Sequence, residues 1–333
     1  MSTSPLRAAM VPVSQRMRAY FAPVDRANET PAIFDPGCGA FTLDAPPSPW
    51  LDLGWIENFE RWYDTPTDVV KSGARALPVG QFRGALEARV AFDFRQWGKL
   101  QMALAGGSEH MNVLAPAAGS EAAAPSGGPP APGIAVLAGS TASELVVGTG
   151  VASSFSVGSL IAVDVDYQQQ TGYVGSGIAG AYVSSAAAVK QDPNYARRVT
   201  FNVGRVAEIT DTSVLLAQPL LGGAPAAGAS AQVVVAFVDR EGGAFFQEWS
   251  ALFVAEEVSG GRVCFYYPRL SPSPGGSNSA GKFLREGLPA IEKQLTAISL
   301  HGSFLALPYI DTNDGQTVVC YRSYFPAGMA ATY

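Results

Sequence analysis

The chain carries two histidines, His110 and His301, and these bound the acid–base chemistry available near neutral pH. Triad catalysis needs a serine or cysteine within reach of a base that a third group orients. No G-x-S-x-G elbow occurs anywhere in the sequence. His110 follows the Gly106-Gly107 stop and His301 falls in an alternating segment, so both read as structural or surface residues. Two distant histidines do not complete a usual zinc set without cysteine help. The three cysteines, Cys38, Cys264 and Cys320, are odd in number and form no C-x-x-C pair. They read as reduced thiols of a protein made in the cytoplasm, with a Cys264–Cys320 disulfide left open.

Two further patterns resemble ligand sites and read more simply as loops. Gly175-Ser176-Gly177-Ile178-Ala179-Gly180 fits the G-x-G-x-x-G turn that lets a backbone approach a pyrophosphate. That turn needs a buried strand before it and a helix after it. Here Gln168-Gln169-Gln170-Thr171-Gly172 precedes it and β-rich sequence surrounds it, so a glycine loop is the reading. Asp311-Thr312-Asn313-Asp314-Gly315 resembles the start of a calcium loop but lacks the closing glutamate, which leaves a hairpin turn. Asp164 and Asp166 share one strand face and read as a solvated acidic face. The expected set is therefore no catalytic residue, no cofactor and no metal.

Aromatic residues are the remaining candidates. Trp50, Trp55, Phe59, Trp62 and Tyr63 crowd one stretch, and Phe265, Tyr266 and Tyr267 another. Exposed, such runs make stacking platforms for bases or sugars. A single basic residue, Arg61, lies among them, so core and subunit interface is the preferred reading.

The elements that must position these residues are mostly strands. Leu86, Ala88, Val90, Phe92 and Phe94 alternate with Glu87, Arg89, Ala91 and Asp93, the period of a strand with one buried face. Trp97, Leu100 and Leu104 then fall at helical spacing before Gly106-Gly107. Strands are also expected at 53–59, at 144–147, 160–167, 198–206, 213–216 and 232–238, and from 245 to 254 and 262 to 270. A last pair, 294–310 and 316–325, is expected to flank the Asp314-Gly315 turn. Tyr63 to Phe82 reads as a long, exposed, hairpin-like excursion. Residues 115–133, rich in Ala, Gly, Pro and Ser, read as a linker.

Composition agrees. Of 333 residues, 47% are hydrophobic and 15% charged, against about 25% charged in typical domains. Thirty-six glycines and 24 prolines require frequent turns, which favours short strands over long helices. A net charge of −6 gives no global field that would draw the chain onto nucleic acid. The opening 21 residues are interrupted by Arg7, Arg16 and Arg18 and do not read as a secretory signal. No apolar run approaches the roughly 18 residues of a membrane span. The expected fold is mainly β: a β-sandwich-like domain with one flanking α-helix, carrying an inserted small β-barrel or sandwich module. The expected divisions are an irregular N-terminal arm (1–49), a first part (50–114), the linker (115–133), the inserted β domain (134–238) and a second part (239–333).

The order of elements resembles the tail tube, or major tail, proteins of tailed bacteriophages. The order is a Pro-rich arm, Leu51-Asp52-Leu53-Gly54-Trp55-Ile56-Glu57-Asn58-Phe59, a hairpin excursion, the Leu86–Phe94 strand and the Trp97–Leu104 helix. The likeness covers residues 40–112 well and 240–333 more loosely. It implies protomers that form hexameric rings, stacked into a tube through which DNA passes without sequence-specific binding. The implied partners are further copies of the chain and the tail-tip, tape-measure and tail-terminator proteins, in the virion, with no membrane insertion. The implied subunit and inter-ring contacts are Trp62, Tyr63, Val69, Val70, Leu77 and Phe82. A capsid or decoration protein and a carbohydrate-binding or adhesin module are the alternatives from other classes.

Overall fold

The computed structural model describes residues 13–26, 28–35, 41–65, 67–72, 77–84, 86–107, 109–118, 131–164, 202–220, 222–240, 247–257, 260–273 and 300–325. Its elements run β1 (Val13–Pro23), β2 (Leu51–Asp64), β3 (Thr67–Ser72), β4 (Leu77–Arg83), β5 (Glu87–Phe94), α1 (Lys99–Gly106) and β6 (Glu109–Leu114). They continue β7 (Ile134–Ala135), β8 (Glu144–Val146), β9 (Leu160–Asp164), β10 (Val203–Ile209), β11 (Ser213–Leu216) and β12 (Ser230–Arg240). The last are β13 (Trp249–Glu257), β14 (Arg262–Pro272), β15 (Leu300–Ala306), β16 (Tyr309–Ile310), β17 (Thr317–Val318) and β18 (Tyr321–Phe325). The protein is mainly β, with one α-helix among the described residues. The chain divides into two compact units, residues 1–24, 31–107 and 246–333 in the first and 25–30 and 108–245 in the second.

In the first unit six antiparallel strands close on themselves in the order β13-β1-β2-β5-β15-β14, because β13 pairs with β14 as well as with β1. Closure removes the free edges that an open sheet would leave. The expected mainly-β fold with one flanking helix takes the form of a closed barrel here. Its interior is aromatic: Phe21, Phe92, Phe253 and Phe304 are fully buried, and Phe21 and Phe92 each lie within 6.3 Å of the other three rings. The alternation is realised from Ala88 to Phe94, with Ala88, Val90, Phe92 and Phe94 buried, while Leu86 lies before the strand and is exposed.

Strand β2 is longer than the expected 53–59, and two bulges bend it. Between Arg18 and Tyr20 the pairing moves from Trp55 to Asp52, and between Asp93 and Ala91 it moves from Glu57 to Glu60. Gly54 and Asn58 take positive φ of 81° and 52° at these points, where the left-handed region suits glycine and asparagine. Each bulge resets the alternation, which brings Leu53 and Ile56 both into the core.

The N-terminal arm needs correcting. Residues 13–23 are a barrel strand held between β2 and β13, with Ala19, Tyr20, Phe21 and Ala22 all fully buried. Residues 31–35 and 41–50 do lack regular structure, but they form a strap over the outer face of the barrel. Phe34, Phe41, Leu43 and Trp50 pack there against Tyr20, Leu252, Val254, Cys264, Tyr266 and Phe325. The strap is also hydrogen-bonded to the wall. Tyr20 Oη donates to the Leu43 carbonyl at 2.9 Å, Tyr266 Oη to that of Ala32 at 2.8 Å, and Ala32 N–H to Ser250 Oγ at 2.9 Å. Arg18 binds Asp52 through Nε and Nη2 and Asp44 through Nη1, which ties the strap end to β1 and β2.

The helix begins two residues after the expected Trp97, at Lys99, and ends on Gly107 in the left-handed region at φ 56°. Glycine at that C-cap avoids the Cβ penalty. The expected final strand pair is also redistributed. β16 and β17 make only a two-residue ladder around the turn, while β15 joins β5 and β18 joins β14.

The second unit is a curled antiparallel sheet in the order β6-β12-β9-β10-β11-β8, with β7 also paired to β12. Its concave side encloses Leu145, Phe155, Ile161, Val163, Val206, Val214 and Leu216. The unit starts earlier than the expected 134 because β6 pairs with β12 from Leu114↔Val234 to Glu109↔Arg240.

Candidate assembly surface

The six residues implied as subunit contacts lie on two adjoining pieces of chain. Trp62 and Tyr63 sit at the far end of β2, opposite Arg89 and Ala88 of β5. Val69 and Val70 are in β3, facing Gln81 and Gly80 of β4. Leu77 and Phe82 are in β4, opposite Ser72 and Asp68. The structure therefore brings Val69, Val70, Leu77 and Phe82 into one hairpin and puts Trp62 and Tyr63 on the strand that leads into it.

This hairpin is a two-stranded sheet on its own. Among the described residues no third strand pairs with either β3 or β4. Successive residues of a strand point to opposite faces. Val69 and Val70 are nevertheless 48% and 43% exposed, and Trp62 and Tyr63 are 50% and 68% exposed. Both faces of the strand thus meet solvent at apolar residues. A lone two-stranded ribbon is marginal in water unless a face is packed. Val, Trp and Tyr at strand positions supply the β propensity that forms it.

The histidines fall in different places. His110 lies in β6 opposite Asp239. His301 lies in β15 opposite Asp93, and its Nδ1 is 2.8 Å from Asp93 Oδ1. Asn58 Nδ2 donates to the other oxygen of Asp93 at 2.6 Å. The three side chains link β2, β5 and β15 on the half-exposed outer face. No hydroxyl or thiol is hydrogen-bonded to His301 among the described residues, so the dyad orients a base without a nucleophile beside it.

Asp311 closes the turn between β16 and β17. Its Oδ1 accepts the Asn313 N–H at 2.9 Å and its Oδ2 the Tyr321 hydroxyl at 2.6 Å. These bonds hold its carboxyl below the usual range, the Tyr321 hydroxyl contributing most. Both oxygens are thereby engaged, one within the turn and one by Tyr321 of β18. Among the described residues no group of three or more His, Cys, Asp or Glu side chains could hold a metal ion. Cys264 is buried and Cys320 half-buried, both as free thiols, while Cys38 lies outside the described residues. The Gly175–Gly180 loop and Asp166 also lie outside them, and Asp164 ends β9 opposite Ser230. No helix among the described residues is long and apolar enough to cross a membrane.

Sequence reasoning missed the strap and its docking face. The apolar residues Phe34, Phe41 and Leu43 were visible, but their spacing among prolines follows no period of a helix or strand. No family model matches the chain, and no curated protein matches it.

Proposed function

We propose that this protein is a structural, self-assembling protomer of the tail-tube type. One observation carries the reading: the β3–β4 hairpin and the β2 end that leads to it hold Trp62, Tyr63, Val69 and Val70 in solvent on both faces. A neighbouring copy that covers these residues supplies the packed face the ribbon lacks. These side chains are already about half covered, so each one buried by a neighbour contributes about 1 kcal/mol. Repeated around a ring and between rings, contacts of this size hold a tube together without any one of them being strong.

The closed barrel supports a rigid building block, since its core does not depend on a partner for edge pairing. In this reading the hairpin reaches the adjacent ring, the rings are hexameric, and the stack forms a conduit in a virion. The net charge of −6 suits a conduit, because a basic lumen would hold DNA instead of letting it slide. Tail-tip, tape-measure and terminator proteins set where the stack begins and ends. The chain performs no catalysis and takes no cofactor.

Sedimentation velocity over a wide concentration range tests the reading. Rings and ring stacks that grow with concentration support it. A monomer at every concentration, even with a preformed tail tip added as a seed, overturns it.

A further inference from the structure

Arg61, near the end of β2, reaches across to β14. Its Nε donates to Tyr267 Oη at 2.6 Å and its Nη2 to Cys320 Sγ at 3.5 Å. The guanidinium carbon stands 4.4 Å from the centroid of the Phe265 ring. A guanidinium has five N–H donors, and a thiol is a weak acceptor, so most of its capacity is unspent. Among the described residues no carboxylate is paired with it; its partners are the two ring faces, the phenol and the thiol.

A second arginine stands beside it. Arg322 of β18 is directly opposite Phe265 of β14. Residues opposite one another in an antiparallel ladder project to the same side of the sheet. Arg322 therefore shares the face on which Arg61 lies over Phe265, and both guanidiniums act electrostatically on the Cys320 thiol. Neither arginine forms an ion pair among the described residues. Arg18, Arg95, Arg262 and Arg269 do, with Asp52, Glu57, Glu256 and Glu248 respectively, whereas Arg89 and Arg205 also have none. What sets Arg61 and Arg322 apart is that they share one sheet face around Phe265.

We propose that Arg61 and Arg322, with Tyr267 and Cys320 beside them, form a notch that binds an oxyanion of the phosphate class. The planar fork of a guanidinium matches two phosphate oxygens at once, and two such forks match a doubly charged anion. Arg61 is half-buried and pre-oriented by Phe265 and Tyr267, which lowers the ordering cost of binding. Arg322 is exposed and forms the open side through which the anion enters.

The test uses the full chain at constant ionic strength, with chloride exchanged for inorganic phosphate or for phenyl phosphate. Calorimetry reads binding, and alkylation of Cys320, mapped by mass spectrometry, reads occupancy beside the thiol. Cys264, buried under the strap, is the internal reference. Saturable heat and slower alkylation of Cys320, with Cys264 unchanged, are expected. Phenyl phosphate binding more tightly than inorganic phosphate would assign the site to an ester; equal binding would assign it to the free anion. Arg322→Gln, an exposed change that spares the fold, should weaken binding about tenfold, the loss of one charge-assisted contact. Arg61→Lys should weaken it as well by removing the planar fork. Phosphate indistinguishable from chloride in both readouts, or full binding by Arg322→Gln, overturns the proposal.

Discussion

Phe92 and Phe304 stack at the centre of the barrel, their ring centroids 5.3 Å apart and their planes inclined by 9°. Gly302 lies opposite Phe92 in the β5–β15 ladder and leaves room for the Phe304 and Phe94 rings. A Cβ there would stand 2.8 Å from the Phe304 ring and 3.0 Å from that of Phe94. Gly302→Ala should therefore cost about 1–3 kcal/mol by overpacking. Phe304→Ala should cost about 3–5 kcal/mol by opening a cavity. Urea unfolding at constant slope measures both, and a Gly302→Ala protein as stable as the parent would show that the rings can shift aside.

The strap predicts a change in thiol accessibility. Cys264 is 4% exposed beneath it, and burial pushes its pKa up to about 12. Phe41 makes edge contacts with Tyr20, Phe34 and Trp50 and lines the small apolar cavity beside Cys264. Phe41→Ala should loosen the strap locally, since such elements open with less free energy than the whole fold. Alkylation of Cys264 in the folded protein should then speed up about tenfold or more, as local opening becomes easier. An unchanged rate would mean that the strap is held by its hydrogen bonds and the Arg18–Asp44 pair alone.

Stability should depend on pH through Lys99. Desolvation pushes its amine down to about 7 from the ordinary value of 10.5. Between those values the unfolded chain holds a proton that the folded chain has released, so stability rises with pH. Below about 7 the amine is charged in both states and the burial penalty is fully present. Burial raises the hydroxyls of Tyr20, Tyr266 and Tyr267, so above about 10 the unfolded chain loses protons first and stability falls. Unfolding free energies should climb from about pH 7 to pH 10, by about 1–3 kcal/mol in total. Lys99→Met should flatten that climb and be the more stable protein at pH 7. A parent profile as flat as the variant's would contradict the assignment.

Much of the fold is legible in local pattern. Ala88, Val90, Phe92 and Phe94 show the strand period because nothing interrupts β5, and Gly107 marks the helix end because its conformation needs glycine. Strand β1 was not legible. Phe21 faces the barrel core and Tyr20 faces the strap, so both sides of the strand are covered and no simple alternation survives. The bulges at Gly54 and Asn58 hide the period of β2 in the same way. β15 and β18 have their partners in β5 and β14, a pairing that no turn between neighbours encodes. The hairpin was legible from Gly73, Pro78 and Gly80 between apolar residues, but what covers Val69 and Val70 lies beyond one chain's pattern. Arg61 and Arg322 are far apart in sequence and give no local signal at all.

The hairpin separates folding from assembly. Val69 and Val70 are exposed on a ribbon that pairs with no other described strand. A Val69→Asp, Val70→Asp protein should therefore melt close to the parent, within about 0.5 kcal/mol per site. Charges placed where a neighbour must dock should still block association, because an unpaired buried charge is costly.

Electron microscopy of the concentrated parent and of this double variant, side by side, tests the central claim most directly. Hollow tubes or stacked rings of constant diameter from the parent, and single protomers or lone rings from the variant, are the predicted result. Tubes of equal length from both proteins would show that the hairpin does not join the rings, and globular monomers from both would contradict self-assembly itself.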